Sequence, residues 1–287
     1  MTTLAQVGLN TASLASLLFL VAAGLSLTFG LMRVLNMTHG SFYLLGAYVG
    51  LTVWRTTGNT PLAILASSLT AAVAGGIIYW GFLKRFSVLD EMPQALLTFG
   101  ALLVIADFTM WRWGADFFSF PGPAFLRGPV ELVGGISYPK YRFFLMGSGL
   151  VLAIGLYLFV ARTKIGALVR AGVDDKLMVQ ALGINTPMVF LGVFVFGSFL
   201  AGFAGMMGAP FLGINPGLDF EVLILAFVVV IVGGVGNIEG AFVGAILVAL
   251  IDTATKTYYP ELAWFSIYVP MAVILAVRPR GLLGRGA

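Results

Sequence analysis

Cysteine is absent from this sequence of 287 residues, and histidine occurs only once. Without thiols the chain forms neither disulfides nor thiolate-ligated metal sites. A single histidine also excludes metal sites built from paired histidines at helical spacing. Charge is scarce too, because only 10% of the residues are Asp, Glu, Lys or Arg, whereas soluble domains carry about 25%. These absences exclude a soluble fold of this length.

Motifs for nucleotide chemistry are missing as well. No G-x-x-x-x-G-K-[S/T] loop occurs, so the chain does not hydrolyse ATP by that chemistry. The stretch "GGVGNIEG" resembles a dinucleotide fingerprint only superficially, because an apolar chain of this kind offers no βαβ context. No nucleophile and base can be assembled around His39, and the basic residues are scattered between apolar runs. We therefore expect no enzyme activity, bound metal or cofactor, and no nucleic-acid partner.

Apolar runs of membrane-spanning length, about 20 residues, recur along the whole chain. They are continuous, whereas the strands of a β-barrel would alternate in polarity. The sequence therefore predicts an all-α integral membrane protein with about eight to nine transmembrane or partly crossing helices, in a single membrane domain over 1–287. The predicted spans are 9–32, 41–55, 61–83, 94–112, 143–161, 188–211, 221–236, 239–255 and 262–277. Three short spans, 41–55, 221–236 and 239–255, are candidates for partial crossing.

The distribution of Lys and Arg predicts the orientation in the membrane. An even number of spans separates four basic clusters from one another, so all of them can face the cytoplasm. They comprise Arg33, then Lys84 and Arg85, then Arg162, Lys164, Arg170 and Lys176, then Arg278, Arg280 and Arg285. This orientation places the N-terminus outside and the C-terminus in the cytoplasm. It also places 113–142 outside as an irregular loop, although that loop carries Arg127, Lys140 and Arg142.

One polar, glycine-containing pattern occurs twice, about 200 residues apart. "NMTHGSF" contains Asn36, His39 and Gly40, and "GNIEGAF" contains Asn237, Glu239 and Gly240. Another apolar helix begins after each copy. Broken helices persist in membranes where their backbone is buried in protein or lines a wet cavity, and transporters place pairs of them around a substrate path. We predict either substrate contact or a structural role at a helix break for these residues, the structural role being favoured.

The stretch from Arg162 to Asn185 is too polar to span a membrane. It predicts a short helix from Asp174 to Leu182, with Asp174 and Asp175 in the first turn and Gly183 at the C′ position. The apolar stripe of that helix comprises Val173, Leu177, Met178, Ala181 and Leu182. A helix this short requires a partner for its stripe. The partner is either the lipid headgroups and the protein's own spans or a cytoplasmic protein, and the acidic pair favours the protein.

"GLSLTFGLMRVLNMTHGSFYLLGAY" resembles the first block of the Liv-type branched-chain amino acid ABC transporter permeases, nearer to the LivH than to the LivM kind. The resemblance continues in family order through "GALVRAGVDDKLMVQALGIN", "LAGFAGMMGAP", "VVVIVGGVGNIEGAFVGAIL" and "RPRGLLG". It covers nearly the whole chain. It implies that 162–187 contains the cytoplasmic coupling loop that seats in a groove of an ATPase subunit.

The resemblance also implies an assembly in the bacterial inner membrane. A homologous second permease subunit, two cytoplasmic ATPase subunits that use ATP and Mg, and a periplasmic substrate-binding protein would surround this chain. The implied ATPase-coupling residues are Gly166, Arg170, Ala171, Gly172, Asp174, Asp175, Leu177, Leu182, Gly183, Ile184 and Asn185.

Several alternatives stay open at this level. The expected substrates are branched-chain or related amino acids, but members of this importer class also carry urea, short amides or aromatic acids. A gradient-driven secondary transporter also uses repeats and broken helices, and a membrane scaffold would need no transport path. No charged residue at mid-span resembles a counter-ion for an amino acid, since Asp107 and Asp252 lie toward span ends. We expect both carboxylates to be solvated at the interface.

Overall fold

The computed structural model describes residues 2–32, 35–86, 91–132, 135–174, 179 and 183–284. These form a helical bundle with one small β-hairpin. The helices are α1 (Thr2–Met32), α2 (Thr38–Thr57), α3 (Thr60–Ile78), α4 (Glu91–Trp113), α5 (Lys140–Arg162), α6 (Lys164–Asp174), α7 (Thr186–Leu212), α8 (Leu218–Gly233), α9 (Ile238–Tyr258) and α10 (Tyr268–Val277). A π-helical turn, Tyr79–Leu83, and a helical turn, Lys84–Phe86, extend α3, and 3-10 turns occur at Ala124–Leu126 and Pro260–Phe265.

The predicted all-α membrane architecture is confirmed. Within the described residues, six helices are long and apolar enough to cross a membrane, namely α1, α3 with its extension, α4, α5, α7 and α9. The predicted span 239–255 lies in α9 and is therefore one of the six. Helix α8 has 16 residues and a length of about 24 Å, which is shorter than a hydrocarbon core of about 30 Å.

The predicted span 262–277 is wrong as a single helix. A 3-10 turn over Pro260–Phe265 precedes α10, which has only 10 residues. Between them Ser266 is buried and donates through Oγ to Asp252 Oδ1, 2.5 Å away. This side-chain contact holds the chain at the junction between the two segments.

Helix α1 occupies the centre of the bundle. In its most apolar 18-residue window 83% of the residues are buried, whereas the corresponding window of α5 is only 17% buried. Helices α5, α7, α8 and α9 all pack on α1. Helix α5 therefore presents most of its surface outward, while α1 is largely enclosed by other helices.

Small residues allow α7 to approach α2 and α3 closely. The backbone of Gly202 lies against Gly46 of α2 and Ser67 of α3. Ser67 Oγ donates to the Gly202 carbonyl oxygen at 2.5 Å. Lipid chains are as apolar as leucine, so helices in a membrane associate through such backbone packing and interhelical hydrogen bonds.

The loop between α4 and α5 is more ordered than the sequence predicted. It contains an antiparallel hairpin of β1 (Pro129–Leu132) and β2 (Ile136–Pro139), with Val130 opposite Tyr138. Tyr138 Oη donates to the Leu9 carbonyl oxygen of α1 at 2.9 Å. The prediction of a wholly irregular loop is therefore wrong, because the hairpin is fixed by a contact with α1 that local composition does not encode.

Candidate functional site

The first helix break lies between α1 and α2, and its backbone is satisfied by a residue from α4. The amide of Met37 donates to Thr98 Oγ1 at 3.2 Å, and Thr98 Oγ1 lies 3.0 Å from the Leu35 carbonyl oxygen, to which it can donate. Asn36 is 1% exposed and accepts through Oδ1 from Thr38 Oγ1 at 2.5 Å. Unpaired backbone groups are costly at membrane depth, so Thr98 is part of this break. The sequence interpretation missed Thr98, because no local sequence pattern links position 98 to position 36.

His39 connects the start of α2 to the middle of α1. Its side chain is fully buried, and Nε2 donates to the carbonyl oxygen of Val21 at 2.7 Å. A carbonyl only accepts, which places the proton on Nε2, and Nδ1 has no hydrogen-bond partner. This geometry gives His39 the structural contact that the sequence interpretation favoured. Contact with a substrate stays a prediction.

Gly40 brings α2 against the start of α8. A Cβ at this position would collide with the backbone carbonyl of Asp219 and approach the side chain of Leu223. Asp219 is 1% exposed, and its Oδ2 atom has no hydrogen-bond partner. Sequence reasoning missed Asp219, although an acidic residue at the start of the apolar segment "GLDFEVLILAF" was an available signal.

The second break, between α8 and α9, has a different construction. Asn237 is the N-cap of α9, accepting through Oδ1 from the Gly240 amide at 3.1 Å. Its Nδ2 donates to the Leu283 carbonyl oxygen at 2.8 Å. Glu239 is exposed, whereas its sequence counterpart His39 is buried. The two copies of the pattern therefore share a break and a following helix, but their ionisable residues lie in different environments.

Both breaks lie against the C-terminal part of α1, at different depths. The His39 ring lies beside Gly24, and Gly236 lies against Gly30. Six helical residues separate these two glycines, which corresponds to about 9 Å along the axis. The structure thus places both predicted breaks against one helix, at depths about 9 Å apart.

The C-terminal tail closes the second break. The amides of Leu282 and Leu283 donate to the carbonyl oxygens of Val232 and Gly233 at 2.8 and 3.0 Å. These carbonyls belong to the last turn of α8, and the carbonyl oxygens of a last turn have no partners within their own helix. The segment "RPRGLLG" therefore caps α8.

The loop over 162–187 contains a helix, α6, that precedes the predicted one. Helix α6 begins at Lys164, and Thr163 Oγ1 accepts from the Gly166 amide at 3.0 Å as its cap. Asp174 is the last residue of α6. The predicted helix from Asp174 to Leu182 lies mostly outside the described residues and stays a prediction. Asp175, Leu177 and Leu182 lie outside the described residues. The sequence interpretation missed the Thr163 cap of α6.

The other predicted coupling residues are distributed around α6 and the start of α7. Gly166 packs on the backbone of Phe159 and Val160, and Gly172 packs on Leu31 of α1. Ala171 is exposed and Ile184 is half-buried, while Arg170 has a buried Nη1 atom without a partner. Gly183 has φ of +76°. Asn185 is the N-cap of α7, accepting from the Met188 amide at 3.3 Å.

These contacts define an inner joint, which consists of α6, the C-terminal end of α1, the α8–α9 turn and the tail over 281–284. Leu31 of α1 touches Gly172 of α6, and the preceding Gly30 touches Gly236 of the turn. Helix α6 and the second break therefore both contact the C-terminal end of α1. No group of three or more metal-ligating side chains occurs within the described residues.

The two carboxylates expected at the interface differ in burial. Asp107 is exposed, consistent with solvation. Asp252 is only 2% exposed and accepts from Lys256 Nζ at 2.7 Å and from Ser266 Oγ. The expectation that Asp252 is solvated is wrong, because Ser266 and the surrounding helices cover it.

A central apolar helix, membrane-length neighbours and paired helix breaks define a polytopic helical membrane protein. A family model described as the permease component of the branched-chain amino acid transport system matches residues 8–278. The chain belongs to this family, whose members are transporters.

Two of the relatives match along nearly their full length, and a third matches along about two thirds of it. The chain is 25% identical to the high-affinity branched-chain amino acid transport system permease protein BraD of Pseudomonas aeruginosa, covering 96% of this chain and 94% of the relative. It is 24% identical to LivH of Escherichia coli with the same coverage. The LivM permease protein of Escherichia coli is 26% identical over 96% of this chain and 69% of its own length. No solved structure matches the chain.

Proposed function

We propose that the chain is the membrane-spanning permease subunit of an ATP-driven importer, forming part of the path for branched-chain amino acids. The relatives named for this transport support the substrate class. Similarity to both LivH and LivM supports pairing with a homologous second permease subunit. In this proposal two cytoplasmic ATPase subunits, which use ATP and Mg, bind the coupling loop over 162–187, and a periplasmic binding protein delivers the substrate. The N-terminus lies outside and the C-terminus lies in the cytoplasm.

The observation that carries the proposal is the inner joint. A partner protein that moves α6 acts directly on Leu31, and α1 transmits the movement to the α8–α9 turn through Gly30 and Gly236. This chain of contacts from α6 through α1 to the α8–α9 turn suits a subunit driven by a separate ATPase. It has no evident use in a gradient-driven carrier acting alone or in a static scaffold.

The test is uptake of radiolabelled leucine into proteoliposomes containing the purified importer. We expect uptake that requires ATP, both permeases, the ATPases and the binding protein. Omitting the ATPases should abolish uptake, and an imposed proton or sodium gradient should not restore it. Leucine uptake by this chain without the ATPases would instead support the secondary-transporter alternative. Replacing leucine with urea, a short amide or an aromatic acid tests the other substrates of the importer class.

A further inference from the structure

A cavity of about 360 Å³ lies toward the N-terminal half of α1, between α1, α5, α7, α8 and α9. This size is within the range of small-molecule sites. Its apolar wall includes Leu18, Leu225 and Val248, and its polar side includes Arg142, Asp252 and Lys256. The cavity is therefore amphipathic, with charges of both signs on one side. It lies toward the opposite end of α1 from the inner joint.

The positive group of the cavity is Arg142 of α5. Its Nη1 atom donates to Asn10 Oδ1 at 2.6 Å, and its guanidinium lies 4.8 Å from the ring centroid of Phe211. Arg142 faces the cavity and forms no ion pair with a carboxylate of the described residues. A half-buried guanidinium held by an amide and a ring is preorganised to bind a carboxylate in a fork geometry.

The negative group is Asp252 of α9. It accepts from Ser266, which is buried, and from Lys256, whose side chain is 55% exposed. An exposed lysine gains little from such a pair, so it can move into solvent while Ser266 keeps the carboxylate oriented. A ligand ammonium can then replace the lysine ammonium on Asp252.

We propose that this cavity binds a zwitterionic α-amino acid, with its carboxylate at Arg142, its ammonium at Asp252 and an aliphatic side chain against the apolar wall. A simple anion would not use Asp252, and a simple cation would meet the charges of Arg142 and Lys256. This inference rests on the proposed function and gives it a binding site in this chain. An ethanolamine phospholipid headgroup has the same pairing of charges, so the test must distinguish the two sources.

The absence of cysteine from the chain permits a direct binding test. Thr257 lines the cavity and is exposed. Thr257→Cys introduces a single thiol into this chain. The rate at which maleimide labels this chain is measured in the full importer in phosphatidylglycerol nanodiscs without ATP. We expect L-leucine to slow labelling, while isocaproate, which lacks the amine, and isoamylamine, which lacks the carboxylate, do not. Thr56→Cys is the control, because Thr56 is exposed and does not line the cavity.

Charge variants in the Thr257→Cys background identify the groups involved. Arg142→Gln and Asp252→Asn should each raise the leucine concentration for half-protection by about tenfold or more, because each removes one partner of a charge-assisted hydrogen bond. Arg142→Lys should have a smaller effect. Arg112→Gln, which removes an exposed arginine outside the cavity, should have none. A variant retains the cavity if its labelling rate without leucine equals that of Thr257→Cys alone.

Three results would overturn the inference. The first is equal protection by leucine, isocaproate and isoamylamine. The second is slower labelling in phosphatidylethanolamine nanodiscs without any amino acid. The third is an unchanged leucine concentration for half-protection in both charge variants. Failure of the cavity assignment would leave ATP-driven leucine uptake intact in Arg142→Gln. Failure of the proposed function would appear differently, as absence of ATP-driven uptake in the unmodified importer.

Discussion

The imidazole of His39 donates through Nε2 to the carbonyl oxygen of Val21, 2.7 Å away and 18 residues earlier in the chain. Val21 lies about 16 Å from the C-terminal end of α1 by helical rise. Helix α2 therefore starts deep within the bundle, beside the middle of α1. The polar cluster around His39 anchors a re-entering chain to the central helix, which explains why a histidine occupies a fully buried position.

Replacing His39 with leucine should destabilise the protein by roughly 1 kcal/mol, the usual size of an interhelical hydrogen bond in a membrane protein. Thermal unfolding in detergent measures the change. His39→Gln is the matched control, since its amide can still donate to Val21. Equal losses in both variants would show that ring shape, and not the hydrogen bond, holds α2 in place.

Alanine at Gly40 should destabilise the contact between α2 and α8 by about 1–3 kcal/mol, as overpacking does. The added Cβ would press on the Asp219 backbone, which cannot rotate away as a side chain could. Gly240→Ala should act similarly through the backbone of Gly233. Gly100→Ala is the control, because no atom lies within 4 Å of its added Cβ. Folded yield and leucine uptake together measure the effect. Normal values in both test variants would mean that the breaks are ordinary turns.

Valine at Gly183 should lower ATP-driven uptake while membrane insertion stays intact. The φ of +76° is unfavourable for a β-branched residue, and nothing crowds a Cβ there, so strain in the backbone is the only expected cost. Gly183→Asn should retain most uptake, because asparagine tolerates this conformation. Uptake by the valine variant equal to that of wild type would remove the case for a required turn at the coupling loop.

Alanine at Asn237 should cost about 1 kcal/mol through loss of the helix cap and should also release the tail from the α8–α9 turn. Asn237→Asp keeps the cap acceptor but removes the Nδ2 donor to Leu283. Comparing their unfolding temperatures separates the two contacts. Proteolysis after residue 278 should be faster in both variants, and equal resistance in all three proteins would show that the tail is held without Asn237.

The resemblance read from the sequence identified the family correctly, because its blocks follow family order across nearly the whole chain. Physical reasoning about residues contributed differently. It located the break residues but not the partners that satisfy them, such as Thr98 for the first break and Leu283 for the second. It also assigned Asp252 to the interface, since a position near a span end does not reveal a covering residue such as Ser266.

The sequence by itself determined the membrane class, the positions of most of the apolar helices and the two breaks. Each helix in hydrocarbon satisfies its backbone within its own segment, so these features are local and readable from composition. Only the tertiary structure decided that α1 is central, that His39 contacts Val21, that the tail caps α8 and that Arg142 and Asp252 line one cavity. Those relationships depend on which helix faces meet, and the nearly uniform apolar spans carry little pattern to specify such pairings.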